Sequence, residues 1–271
     1  MRSSRFISSP VHPFIKHIVQ LHQAKARKQH NQTFAEGYRT LLTLNKAGII
    51  FDVLYAAADQ EERIAEFQAH EIIVVTPAVM AKISAAVTPS GLLGTFTRPT
   101  STSMSHYTAQ DLNLTTTLMP ALALAQLQDP GNMGTLLRTA AACAIKTVFC
   151  IEGTDPWSPK VIQASAGTLA SLTLLEWSWQ ELILYKNTTR DFKLCALVPT
   201  GGAQPTQLEP NFSRQNILVV GSEAHGIAPG QLEQCDNFLS LPMPGGTESL
   251  NAAVAGSIAL YITQVLPYIS I

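Results

Sequence analysis

Residues Leu241 to Tyr261 read LPMPGGTESLNAAVAGSIALY, and the order of residue types in that stretch decides how the chain is read. A short apolar strand end, expected over 238–241, runs into a Pro/Gly loop. The loop delivers Glu248, Ser249 and Asn251 to the start of a long, almost uncharged helix expected over 249–265. A helix start carries unpaired backbone N–H groups, and a Pro/Gly loop leaves further backbone groups open to a ligand. One polar side chain suffices as a cap. Three of them within four positions point to a binding loop.

The same arrangement recurs upstream. Apolar strands are expected over 118–127, 147–151, 172–175, 193–198 and 216–220. Helices between and after them are expected over 133–144, 159–165, 179–186 and 229–234. Continuous apolar strands separated by helices imply a mostly parallel sheet covered on both faces, with ligand sites beyond the strands' carboxyl ends. Two more clusters stand at such ends. Asp129-Pro130-Gly131-Asn132-Met133-Gly134 precedes a helix carrying Arg138, and Gly221-Ser222-Glu223-Ala224-His225-Gly226 follows the strand at 216–220. Taken singly, Asn132 reads as an N-cap, Arg138 as a surface cation and the glycines as turn residues. His225 is expected to pack against a neighbouring loop.

The first third of the chain repeats an α/β pattern on a smaller scale. An amphipathic helix is expected over 13–28. Extended segments at 34–35, 53–57, 72–75 and 92–96 alternate with helices at 38–46, 61–68 and 77–86, the last capped by Thr76. Polar, Ser/Thr-rich sequence then marks a linker, giving domains at 1–97 and 118–271 around a linker at 98–117.

Charge is unevenly spread. Up to Lys46 there are eight cations, including Arg27, Lys28 and Arg39, against the single acid Glu36; the remainder of a chain of net charge −1 therefore carries a surplus of eight acids. A basic arm on an acidic body suits phosphate contact, which gives affinity more than sequence choice. The four cysteines show neither C-x-x-C pairing nor metal-ligand spacing, so no metal is expected and a reducing cytoplasm fits. The opening MRSSRFISSP is basic and Ser-rich but lacks an apolar signal core, so no targeting segment is expected. Polar residues interrupt the C-terminal helix, which suits a core or interface helix and not a membrane span.

The chain has no G-x-x-x-x-G-K-[ST] loop, G-x-G-x-x-G turn, G-x-S-x-G elbow or H-E-x-x-H helix. What it has is N-x-G-x-x-x-R, then G-S-E-x-x-G, then P-M-x-x-G-x-E-S-L-N, in that order. These resemble the three signature motifs of the SpoU/TrmH family of RNA ribose 2′-O-methyltransferases, within the SPOUT superfamily. Ser165-Ala166-Gly167 resembles a further family element. Phe34-x-Glu36-Gly37 and Thr88-Pro89-Ser90-Gly91 resemble the N-terminal substrate-binding domain of two-domain members.

The resemblance implies an α/β fold: a trefoil-knotted C-terminal methyltransferase domain on a mostly parallel sheet, with a small N-terminal α/β domain for RNA. It implies S-adenosyl-L-methionine held by Val198, Thr200, Gly201, Gly221, Leu241, Met243, Ser249 and Leu250. Arg138 is implied as the catalytic arginine, with Asn132, Glu223, Ser249 and Asn251 orienting it and the ribose. A guanidinium stays protonated, so it suits gripping phosphate and stabilising a developing alkoxide. Arg27, Lys28 and Arg39 are expected to contact RNA, with rRNA favoured over tRNA. The resemblance also implies a homodimer through the C-terminal domain, for which the helix at 252–266 is the candidate contact. The alternatives are a tRNA 2′-O-methyltransferase, a non-catalytic RNA-binding relative, and a small-molecule methyltransferase on the same fold.

Overall fold

The structure, a computed structural model, describes residues 5–99, 119–189, 192–208 and 212–268. The chain divides into two compact units. One comprises the described residues up to 99 together with Trp157–Ala170, and the other the remainder. The expected linker lies, from residue 100 on, outside the described residues.

The first unit runs β1 (Arg5–Ile7), α1 (Pro13–Leu21), α2 (Ala24–His30), β2 (Gln32–Glu36), α3 (Tyr38–Lys46), β3 (Phe51–Ala57), α4 (Glu61–Ile64), β4 (Ala69–Val75), α5 (Pro77–Ile83) and β5 (Leu92–Thr97). Its sheet has the order β1-β4-β3-β5-β2. β1 and β3 lie parallel to β4, while β5 is antiparallel to both β3 and β2. Ile15, Ile18 and Leu21 of α1 pack with Phe34, Tyr55 and Ile73 of the sheet in one apolar core.

The single helix expected over 13–28 is two. Gln23 takes an extended backbone (ψ 134°), and Arg27 folds back to donate from Nη1 to the carbonyls of Leu21 and His22, each at 3.0 Å. Arg27 is thereby buried, 4% exposed. Its guanidinium satisfies carbonyls that the end of α1 leaves open, which corrects its expected place on an RNA-contacting face. β1 was not anticipated either. Its pairing partner is β4, far along the chain, and its one fully buried side chain is Ile7.

The second unit contains β6 (Ala121–Ala125), α6 (Pro130–Ala142), β7 (Thr147–Ile151), β8 (Thr173–Trp177), α8 (Trp179–Thr189), β9 (Lys193–Leu197), α9 (Phe212–Gln215), β10 (Asn216–Val220), α10 (Pro229–Leu232), β11 (Asn237–Leu239) and α11 (Ala252–Gln264). α7 (Pro159–Ala164) lies between β7 and β8 in sequence but packs in the first unit. The sheet has the order β11-β9-β10-β6-β7-β8, with every pairing parallel. This is the expected α/β architecture. Strand order reverses between β6 and β10, the place where open parallel sheets leave a crevice. Phe149, Trp177, Tyr185, Leu194 and Val219 belong to the core on one face.

Several helices open the same way. Thr76, Asp129 and Ser158 each accept from the backbone N–H three residues on, and each is followed by proline at the first helical position. Beyond α7, Ser165-Ala166-Gly167 turns the chain through the left-handed region (Ala166 φ 51°, Gly167 φ 79°). There it presses on α3: a Cβ at Gly167 would stand 2.8 Å from the Thr40 carbonyl oxygen. Thr33 Oγ1 donates to the Trp157 carbonyl at 2.7 Å, and the Phe96 and Trp157 rings meet edge to face. Alanine at Gly167 combines a left-handed backbone with a clash, so Gly167→Ala is expected to cost about 1–3 kcal/mol. Hydrogen exchange in α3 and β2 measures it; unchanged protection there would contradict the packing described.

Candidate active site

Glu223, just past β10, is the hub of the crevice. Its Oε1 accepts from Asn132 Nδ2 at 2.9 Å and from the backbone N–H of Asp129 at 3.3 Å, while Oε2 accepts from the N–H of Gln128 at 3.3 Å. One carboxylate thus holds together the loops that follow β6 and β10. Partial burial pushes the Glu223 carboxyl up, but these hydrogen bonds together outweigh it and the group ionises below its ordinary value. The cap of α6 is Asp129, which accepts from the Asn132 N–H at 2.8 Å. Asn132 is therefore not the N-cap that the sequence suggested; its carboxamide is free to reach Glu223.

The β10 loop closes on itself. Ser222 and Gly226 exchange backbone hydrogen bonds at 2.9 Å, and Ser222 Oγ also accepts from the His225 N–H. A Cβ at Gly221 would lie 2.3 Å from the carbonyl carbon of Gly226, so only glycine lets the two backbone strands of the loop meet. His225 is exposed and does not pack as expected.

Beside this loop lies a cavity of about 370 Å³, lined among others by Val198, Gly221, Leu241, Met243, Ser249 and Leu250. Six of the eight residues expected to hold a cofactor are therefore together. Thr200 and Gly201 line a cavity of about 360 Å³ that shares Pro199, Leu241 and Met243 with the first. The aliphatic walls and backbone edges suit an apolar ring with hydrogen-bonding atoms on its rim, and the size is that of a small-molecule site. α11 begins at Ala252, later than expected. Asn251 is its cap, Oδ1 accepting from Ala253 N at 2.9 Å and Val254 N at 3.3 Å. Glu248 and Ser249 remain in the loop, both exposed.

Arg138 stands on an exposed position of α6 and lines none of these cavities. Among the described residues it makes no hydrogen bond to Asn132, Glu223, Ser249 or Asn251. Lys28 and Arg39 are exposed on α2 and α3. No group of three or more His, Cys, Asp or Glu among the described residues could hold a metal. No described helix is long and apolar enough to cross a membrane.

The SpoU rRNA Methylase family model matches residues 119–261. The chain belongs to that family. A second model, for the MRM3-like substrate binding domain, matches residues 12–94 of this SpoU methylase. An uncharacterized tRNA/rRNA methyltransferase of Synechocystis sp. is 34% identical over 265 residues, spanning 94% of this chain and 92% of the relative. The solved structure of an RNA 2′-O ribose methyltransferase superposes with TM-score 0.76 at 27% identity, covering 95% of this chain and 97% of that one. The AdoMet-bound rRNA methyltransferase of Sinorhizobium meliloti shares the fold, with TM-score 0.81 at 22% identity over 96% and 97% of the two chains.

Sequence reasoning passed over Gln126 and Glu152, which end β6 and β7 with left-handed backbones (φ 57° and 49°). No motif marks them, since neither is a residue type that usually signals positive φ. Because the Glu223 carboxyl ionises low, the bridge it makes is whole at neutral pH and is lost as pH falls through the carboxylate range. Calorimetric affinity for S-adenosyl-L-methionine is expected to fall over that range, and Glu223→Gln to flatten the acid limb. An identical limb in the variant would contradict the bridge.

Proposed function

We propose that this S-adenosylmethionine-dependent RNA ribose 2′-O-methyltransferase acts on rRNA, through the residues gathered at the β6/β10 crevice. The observation that carries the site assignment is the Glu223 bridge beside an apolar cavity of about 370 Å³. When bound, S-adenosyl-L-methionine supplies a methyl group on a sulfonium. Val198, Leu241, Met243 and Leu250 provide the apolar walls that would enclose it, and Gly221 the close backbone floor. The ribose O2′ would receive that methyl group, and its hydroxyl proton would leave to solvent.

Arg138 is given the role of gripping the adjacent phosphate and stabilising charge at O2′, which its permanent positive charge suits. Its exposed side chain is open to an RNA approaching α6. Asn132 and Glu223 keep the start of α6 in place, and Asn251 fixes the start of α11; all three are positioning residues. Ser249, exposed on the cavity wall, is the hydroxyl placed to meet the ribose or the cofactor.

Lys28 and Arg39 are assigned to phosphate contact, within a basic arm whose Arg27 serves the fold instead. The bounds 1–97 and 118–271 are retained as the RNA-binding and methyltransferase domains. The chain is proposed to act as a homodimer. Val254, Ile258 and Tyr261 stand 46%, 40% and 48% exposed along α11 at helical spacing, an apolar stripe of the kind that mates with a second copy. Free, buried Cys143, Cys150 and Cys195 suit a reducing compartment, and we place the protein in the cytoplasm.

Arg138→Ala is expected to lower kcat by about 10²–10³ while leaving calorimetric affinity for S-adenosyl-L-methionine unchanged. Full activity in that variant would sink the assigned role. Lys28→Ala and Arg39→Ala are each expected to weaken RNA binding evenly across sequences and to reduce the salt slope by about one. A change in target choice instead of slope would contradict phosphate contact.

A further inference from the structure

Methylation of a ribose hydroxyl needs a proton acceptor, because O2′ must give up its proton. Arg138 cannot serve. A guanidinium keeps its proton across the working pH range, and Arg138 does not line the cavity of about 370 Å³. Two residues in the lining of that cavity carry ionisable side chains, Glu223 and His225. Glu223 is engaged elsewhere: three N–H donors converge on its carboxylate and lower its affinity for a proton.

His225 has the opposite character. Its backbone N–H donates to Ser222 Oγ at 3.3 Å, and the closed turn from Ser222 to Gly226 holds its main chain in place. The side chain is exposed, and its ring makes no hydrogen bond among the described residues. Histidine is the residue type that gives and takes protons near neutral pH, and a neutral imidazole offers one ring nitrogen as acceptor.

A second cavity, of about 570 Å³, shares Ser222, Glu223, Ala224 and His225 with the first, so His225 stands at the boundary of the two spaces. The far wall of the second carries Asp129, from the loop after β6, and Glu152, from the end of β7; its lining has no Lys or Arg. Glu152 is held from both sides. Its Oε2 accepts from Gln126 Nε2 at 3.2 Å and its Oε1 from the Trp179 N–H at 3.4 Å. With Glu223, three carboxylates line the space that His225 borders. Negative charge in that wall favours an imidazole that has taken up a proton.

We propose that His225 is the general base of this enzyme, removing the proton of the ribose O2′. This rests on the methyltransferase function proposed above. The O2′–H bond breaks, its electron pair stays on oxygen for the incoming methyl group, and the proton passes to an imidazole nitrogen. The exposed ring then releases that proton to solvent and returns to its neutral form. Arg138 keeps the separate task of holding phosphate and stabilising charge.

The test uses the full-length protein, rRNA transcripts and saturating methyl-labelled S-adenosyl-L-methionine, with single-turnover rates measured across pH. The base acts in its neutral form, so the wild-type rate is expected to rise with pH and then level off. His225→Gln, polar but unable to take up a proton, is expected to be about 10²–10³-fold slower at that plateau and to lose the limb. Free imidazole is expected to raise the rate of His225→Ala about tenfold or more, as a diffusible base in place of the missing one. In the cofactor-free protein, the imidazole NMR signal that His225→Gln lacks is expected to change protonation state over the span of the kinetic limb. Calorimetric affinities of both variants for S-adenosyl-L-methionine and for RNA are expected to match wild type. A loss of either in step with the rate would make His225 structural and overturn the proposal. So would an unchanged rate or limb in His225→Gln, no response of His225→Ala to imidazole, or a ring that keeps one protonation state throughout. These outcomes leave the methyltransferase function standing; absence of transfer by the wild-type protein to any RNA would overturn both.

Discussion

The carboxylate of Glu223 has three donors converging on it, two from the backbone of the loop after β6 and one from Asn132. A parallel sheet fixes where its strands end but leaves the following loops to find their own conformation. At the switch point between β6 and β10 those loops stand next to each other. A charged acceptor that meets three N–H groups at once holds them in one arrangement, and it does so on the polar side of the crevice. Hydrogen bonds to a charged group are the stronger kind. That interaction ties the α6 start to the β10 loop, and both cavities border it.

The rest of the site follows from close packing of backbone. Gly221 admits no side chain because the chain returns against it at Gly226 and Ile227, and this closed turn forms one wall of the cavity of about 370 Å³. Asn251 then ends the loop of the third motif by capping α11, so the polar surplus noticed at residues 248–251 divides into two jobs. Asn251 shapes the helix start, and Ser249 is left facing the cavity.

Strands β7 and β10 begin and end where apolar runs and flanking polar residues place them, because a strand buried on both faces must be apolar throughout. Helix starts were less legible. Asn132 and Ser249 look like first-turn residues, but the caps are Asp129 and Asn251, since a cap is chosen by which side chain can reach back to a free N–H. The basic arm showed charge but not its use: Arg27 is sequestered by carbonyls at the end of α1, a partnership set by the bend at Gln23. Trp157–Ala170 lies well within the second domain in sequence, yet packs against α3 and β2 through contacts no local pattern announces. Gln126 and Glu152 were invisible for a related reason. Their significance lies in an unusual backbone and in being neighbours across a sheet, neither of which a linear sequence displays.

The most direct measurement is the fate of a labelled methyl group. Purified protein incubated with S-adenosyl-L-methionine and large-subunit rRNA, followed by complete digestion to nucleosides, should return the label on a ribose 2′-oxygen. Label on a base atom, or RNA left unlabelled by a protein that binds the cofactor, would contradict the account.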